Sequence, residues 1–167
     1  MAVGFKAARH SPEDIKQVRE EFYVAVNNPA AADKFYDKLN GLKPAEPVLM
    51  AYYGSAQALK ARYAWNPYKK LSYLKQGSKT LSAAVKANPD NFEIRFLRFS
   101  LQHFVPAFLG YSKELEEDRR QLIALAVKRQ FGSMDRLLIN HLLEFMIDTK
   151  RCTAEEITLL KKAMADG

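Results

Sequence analysis

Cysteine is almost missing from this chain of 167 residues. Cys152 stands alone, which excludes an intramolecular disulfide framework and any multi-cysteine zinc site. Histidine is nearly as scarce: the three residues lie at unrelated positions, and with one thiol they give no Ser/His/Asp or Cys/His set for nucleophilic catalysis. The seven glycines never gather into a phosphate-cradling loop. No apolar run approaches the ~18 residues of a transmembrane span, and the opening MAVGFKAARH is too weakly apolar for a secretion signal. The chain as given therefore reads as soluble, either cytoplasmic or exported after loss of a signal. Strand-like alternation and low-complexity linkers are missing too.

What remains is enough for one domain, since a chain of this size buries roughly 70% of its extended surface. Lys and Arg number 26 against 19 Asp and Glu, net +7 with a pI near 9.4, which favours acidic partners or surfaces. The excess reads as spread out. Lys69-Lys70, Arg119-Arg120 and Lys128-Arg129 are interrupted by apolar helix positions and look like solvated faces.

The clearest pattern runs from Asn66 to Val105. Asn66 can cap a helix whose first residue is Pro67, where a missing amide proton costs nothing. Leu71, Leu74, Ser78, Leu81 and Val85 then share one stripe beside the small Gly77 and Ala84, while Lys75, Lys79, Ser82 and Lys86 form another. Asn88-Pro89 stops the helix and Asp90 or Asn91 starts the next. That second helix has apolar stripes on two sides, Phe92, Phe96 and Phe99 against Ile94, Leu97, Leu101, Phe104 and Val105, so it should be sandwiched between neighbours. Arg95, Arg98 and Gln102 lie on one edge between the stripes, Glu93 and Ser100 on the other. Pro106 ends it.

The rest of the chain repeats these devices. Ser11-Pro12-Glu13-Asp14 opens a first helix seated by Ile15, Val18, Phe22 and Ala25. Asn28-Pro29 opens a short second one, closed by Asn40-Gly41. Pro44 and Pro47 introduce a third with Val48, Tyr52, Ser55, Ala56 and Leu59 on one face and Gly54 allowing close approach. After Pro106 the apolar AFLGYS should fold back over the core, burying Phe108, Leu109 and Tyr111, before Ser112 caps a sixth helix that Gly132 ends. Ser133 should cap a seventh, with Leu137, Leu138, Leu142, Phe145 and Met146 facing inward. Thr153 and Glu156 make a capping box for the last, seated by Ile157 and Leu160. Residues 1–10 read as a flexible N-terminal segment and 11–167 as a single all-α domain of about eight helices in antiparallel hairpins.

Two stretches share a spacing. A-x3-Y-x2-L-x4-P runs from Ala32 through Tyr36 and Leu39 to Pro44, and G-x3-L-x2-A-x4-P from Gly77 through Leu81 and Ala84 to Pro89. This resembles the second helix and closing proline of the tetratricopeptide repeat, and Tyr23 falls where that repeat places its first-helix tyrosine. The prolines are 45 residues apart, against the ~34 of the regular repeat, so the resemblance over residues 11 to 105 is to a degenerate form. The chain is also similar to small uncharacterised bacterial helical proteins, some of them exported. The resemblance implies a tetratricopeptide-like solenoid that acts as a scaffold and catalyses nothing.

Candidate chemistry is correspondingly thin. His141 and Glu144 sit one turn apart but lack further ligands, and His103 on the phenylalanine stripe reads as a core histidine. No catalytic residue, metal site or cofactor is expected. The expected site is a partner-binding groove edged by Arg95, Arg98 and Gln102, with Lys69 and Lys70 extending its basic rim, suited to the carboxylates of an acidic protein or peptide. In the opposing arrangement the two arginines pin helices together through Glu114, Glu117 or Asp118. The alternative function is binding of nucleic acid or another polyanion, because residues 59–75 interleave Lys60, Arg62, Lys69, Lys70 and Lys75 with Tyr63, Trp65, Tyr68 and Tyr73. Against it, aromatics at a helix junction usually pack.

Overall fold

A computed structural model describes residues 12–165; the expected flexible segment 1–10 and the Ser11 cap lie outside them. Among the described residues there are eight α-helices and no strand: α1 (Pro12–Asn27), α2 (Pro29–Leu42), α3 (Pro47–Tyr63), α4 (Pro67–Ala87), α5 (Phe92–Phe104), α6 (Leu115–Val127), α7 (Arg136–Asp148) and α8 (Ala154–Ala165), with one 3-10 turn at Ala107–Leu109. No helix is long and apolar enough to cross a membrane.

Proline at the first helical position and a side-chain cap before it set most of the early boundaries. Asn28 accepts from the Ala31 amide, Glu46 from Val48 and Leu49, and Asn66 from Tyr68 and Lys69. Each satisfies amides that a helix start leaves unpaired. The Thr153/Glu156 capping box forms in both directions. Other boundaries differ from those the sequence suggests. α2 runs past Gly41 and ends at Lys43 in the left-handed region, α6 ends at Val127 ahead of Gly132, and α7 is capped by Asp135 in place of Ser133.

α3 is the hub, packing on α1, α2, α4 and α5. Ten of its 17 residues are buried, and a helix apolar on every side must be surrounded. At its crossing with α4, the backbone of Gly54 meets that of Gly77, as the small residues at these positions require. α5 is sandwiched as its two stripes demand. Ile94 and Leu97 join a core with α1–α4, and Phe92, Phe96 and Phe99 join a second core with α6–α8. The apolar interior is thus two clusters meeting at α5.

The segment after Pro106 is a second correction. Phe108 is 86% exposed, Leu109 and Phe104 also face outward, and only Tyr111 is half-buried. Leu137 and Leu71 are exposed as well, and on α7 Leu143 is buried beside the expected Met146.

Candidate functional site

The Arg95 edge was expected at a groove, and the structure closes it. Glu117 and Asp118, in the first turn of α6, are brought against α5 by the packing of Leu115 and Leu122 onto the phenylalanine stripe. Asp118 is fully buried. It accepts from Arg95 Nη1 at 2.7 Å and from Arg98 Nε and Nη2 at 2.7 and 2.8 Å, the last two a bidentate fork. Arg95 also donates to Glu117 and to the Pro89 carbonyl. Gln102 donates to Glu114 Oε2 at 2.8 Å. Burial works against the Arg98 charge, but its hydrogen bond to Asp118 and the field of Asp118, Glu114 and Glu117 outweigh it and hold its pKa above the ordinary value. With Arg95 and Arg98 5% and 6% exposed, neither guanidinium has an edge to offer a partner. The arrangement is the internal pin, because a buried cation must be paired where it lies.

The opposite edge is closed too. Glu93 is buried and accepts both an Arg19 fork and the Tyr52 hydroxyl, the latter at 2.6 Å. Burial, then the Glu93 charge, pushes the Tyr52 phenol well above its ordinary value, so it stays a donor. α1, α3 and α5 meet at this carboxylate.

The lysines behave differently. Lys69 and Lys70 are exposed, as are Lys75, Lys79 and Lys86, and among the described residues no acid pairs with any of the five. The cause is in the sequence. From Pro47 to Pro89 there is no Asp or Glu but seven cations, leaving 19 of each sign in the rest of the chain. The whole net charge of +7 therefore sits on the α3–α4 hairpin, which corrects the expectation of a dispersed excess. An acid-free interval can be found by reading charge signs alone; clusters of adjacent lysines do not reveal it.

Helical geometry arranges these charges. Tyr68, Ser72, Lys75, Lys79 and Lys86 recur at intervals of three, four and seven residues, which places them on one solvent face, with Lys86 about 27 Å from Tyr68 along the axis. Lysines in the first turn oppose the positive end of the helix dipole, and Lys75 and Lys79 repel at i,i+4, each unfavourable by a few tenths of a kcal/mol or more. Lys86, in the last turn, meets the favourable end of the same dipole. Beside the face, Met50, Tyr53, Gln57, Gln76, Lys79 and Ala83 line a shallow groove of about 440 Å³ between α3 and α4.

The interleaved aromatics divide into two groups. Tyr63 donates to the Val26 carbonyl and is covered by Arg62, and Tyr73 packs on Tyr36 beneath Lys60, which pairs with Asp33. Trp65 and Tyr68 pack on nothing, being 92% and 87% exposed. The expectation that junction aromatics pack holds for the first pair and fails for the second.

His141 and Glu144 are both exposed, and among the described residues no three His, Cys, Asp or Glu side chains gather as a metal site. His103 accepts from Arg151 Nε at 3.0 Å, and burial, then the Arg151 charge, lowers its pKa. Compared with known proteins, the chain matches no family model, no curated protein and no solved structure.

Proposed function

We propose that this chain is a non-catalytic helical scaffold that captures an acidic macromolecular partner on the lysine face of α4. The observation that carries the reading is the confinement of the net charge to one acid-free hairpin, whose five α4 lysines pair with no acid among the described residues. A surface held at a local electrostatic disadvantage gains stability when an anion meets it. The adjoining groove supplies apolar contact for a protein or peptide. Of the expected partner contact, this reading gives up Arg95, Arg98 and Gln102, keeps Lys69 and Lys70, and adds Lys75, Lys79 and Lys86.

Tetratricopeptide-like stacking of the hairpins remains part of this reading. It is supported by the burial of Ala32, Leu39, Leu81 and Ala84 at the shared spacing and by the Gly54–Gly77 crossing. Among acidic macromolecules, nucleic acid is favoured by the exposure of Trp65 and Tyr68.

Titration of labelled polyglutamate with the intact chain tests the proposal by anisotropy. Binding should weaken steeply with salt and disappear in Lys75→Gln/Lys79→Gln/Lys86→Gln, whose circular dichroism should be unchanged. Equal binding by the triple variant would reject the α4 face.

A further inference from the structure

We propose that the polyanion taken by this face is a single-stranded nucleic acid, its bases stacking on Trp65 and Tyr68 and its phosphates following Lys75, Lys79 and Lys86 down α4. The inference rests on the polyanion reading above and names its ligand. Two observations independent of the charge support it. Trp65 and Tyr68 expose large aromatic surfaces within one turn of each other, and such side chains are platforms on which successive bases stack without regard to sequence. Tyr63, Tyr73 and Lys60, near them in the sequence, are engaged elsewhere, with Val26, Tyr36 and Asp33.

The form of the charge also matters. Lys75, Lys79 and Lys86 are drawn out over about 17 Å on a line that begins at Tyr68, about 27 Å from Lys86, and a flexible strand with one phosphate per nucleotide fits a line. An anionic bilayer fits less well. Were the aromatic end to insert, Lys79 and Lys86 would stand about 17 and 27 Å from it, beyond the ~8 Å reach of a charge at physiological salt. Were α4 to lie flat, no large apolar side chain past Leu71 is exposed on that helix to enter the lipid. An acidic peptide would satisfy the lysines but has no general use for two open ring faces.

Trp65 is the only tryptophan in the chain, so its fluorescence reports on the site alone. The experiment titrates the intact protein with a 12-nucleotide oligothymidylate, with polyglutamate of equal charge and with phosphatidylserine vesicles. Oligothymidylate should quench Trp65 and bind tightest, with log K falling against log salt at a slope of about −2 for three engaged lysines. Trp65→Ala, read by anisotropy of labelled oligonucleotide, and Tyr68→Ala should each weaken binding about 10-fold while leaving polyglutamate binding intact. Polyglutamate binding as tightly as oligothymidylate, or unchanged affinity in both aromatic variants, would overturn the single-strand assignment and leave the polyanion reading standing. Preference for vesicles with a blue shift of Trp65 would overturn it in favour of a bilayer. Binding to none of the three would remove both proposals.

Discussion

Gly54 and Gly77 touch through their backbones: a methyl group built on Gly77 would lie 2.8 Å from the Gly54 carbonyl oxygen and 3.1 Å from the Ala58 amide nitrogen. The obstacle is backbone, which cannot step aside as a flexible side chain can. Gly77→Ala should therefore destabilise by about 1 to 3 kcal/mol, despite the gain in helix propensity, and lower the melting temperature by several degrees. A thermal melt by circular dichroism reads it; an unchanged or raised midpoint would mean the helices do not meet here.

Asp118 holds two arginines in a buried site. Removing it leaves Arg95 with Glu117 and the Pro89 carbonyl and takes both hydrogen bonds from Arg98, and Asp118→Ala should cost about 3 to 5 kcal/mol in urea denaturation. An exposed arginine such as Arg120 should tolerate alanine within about 0.5 kcal/mol. Similar destabilisation in the two variants would place Asp118 at the surface.

Tyr52 gives a pH signature. Its folded pKa is raised, so above about pH 10 the unfolded chain releases the phenol proton while the folded one keeps it; stability present below that pH is lost as pH rises further. Absorbance titration should find Tyr52 silent until the protein unfolds, and Tyr52→Phe should remove that silent tyrosine. Ionisation of all eight tyrosines in the intact protein would contradict the buried contact with Glu93.

The helices were legible because their boundaries are written locally. Pro29, Pro47 and Pro67 at first positions, Asn28 and Asn66 as caps, and the Thr153/Glu156 box all depend on residues within one turn. Gly77 was legible for a similar reason, since a small residue beside an apolar stripe is an economical way to bring two backbones together. The fate of Arg95 and Arg98 was legible only as two alternatives, an open groove or a pin through Glu114, Glu117 or Asp118, because the choice depends on how α6 docks across a gap of about twenty residues, and periodicity carries no information about that. Phe108 misled because an apolar loop residue usually finds cover, and here the turn at Ala107–Leu109 leaves it outside. The lysine face was present in the sequence as an absence of acids over 43 residues, from Pro47 to Pro89, and counting cations alone concealed it.

The position of the charge, as distinct from its amount, is the central claim, and two variants of equal net charge separate the two. Lys75→Gln/Lys79→Gln/Lys86→Gln removes three cations from the α4 face, and Lys16→Gln/Lys113→Gln/Lys161→Gln removes three exposed lysines elsewhere. On a heparin column the α4 variant should elute at much lower salt than wild type, because the salt slope shrinks by up to about one unit for each lysine withdrawn from the bound polyanion, with the second variant staying close to wild type. Co-elution of the two variants would mean that the chain responds to net charge alone and that α4 presents no binding face.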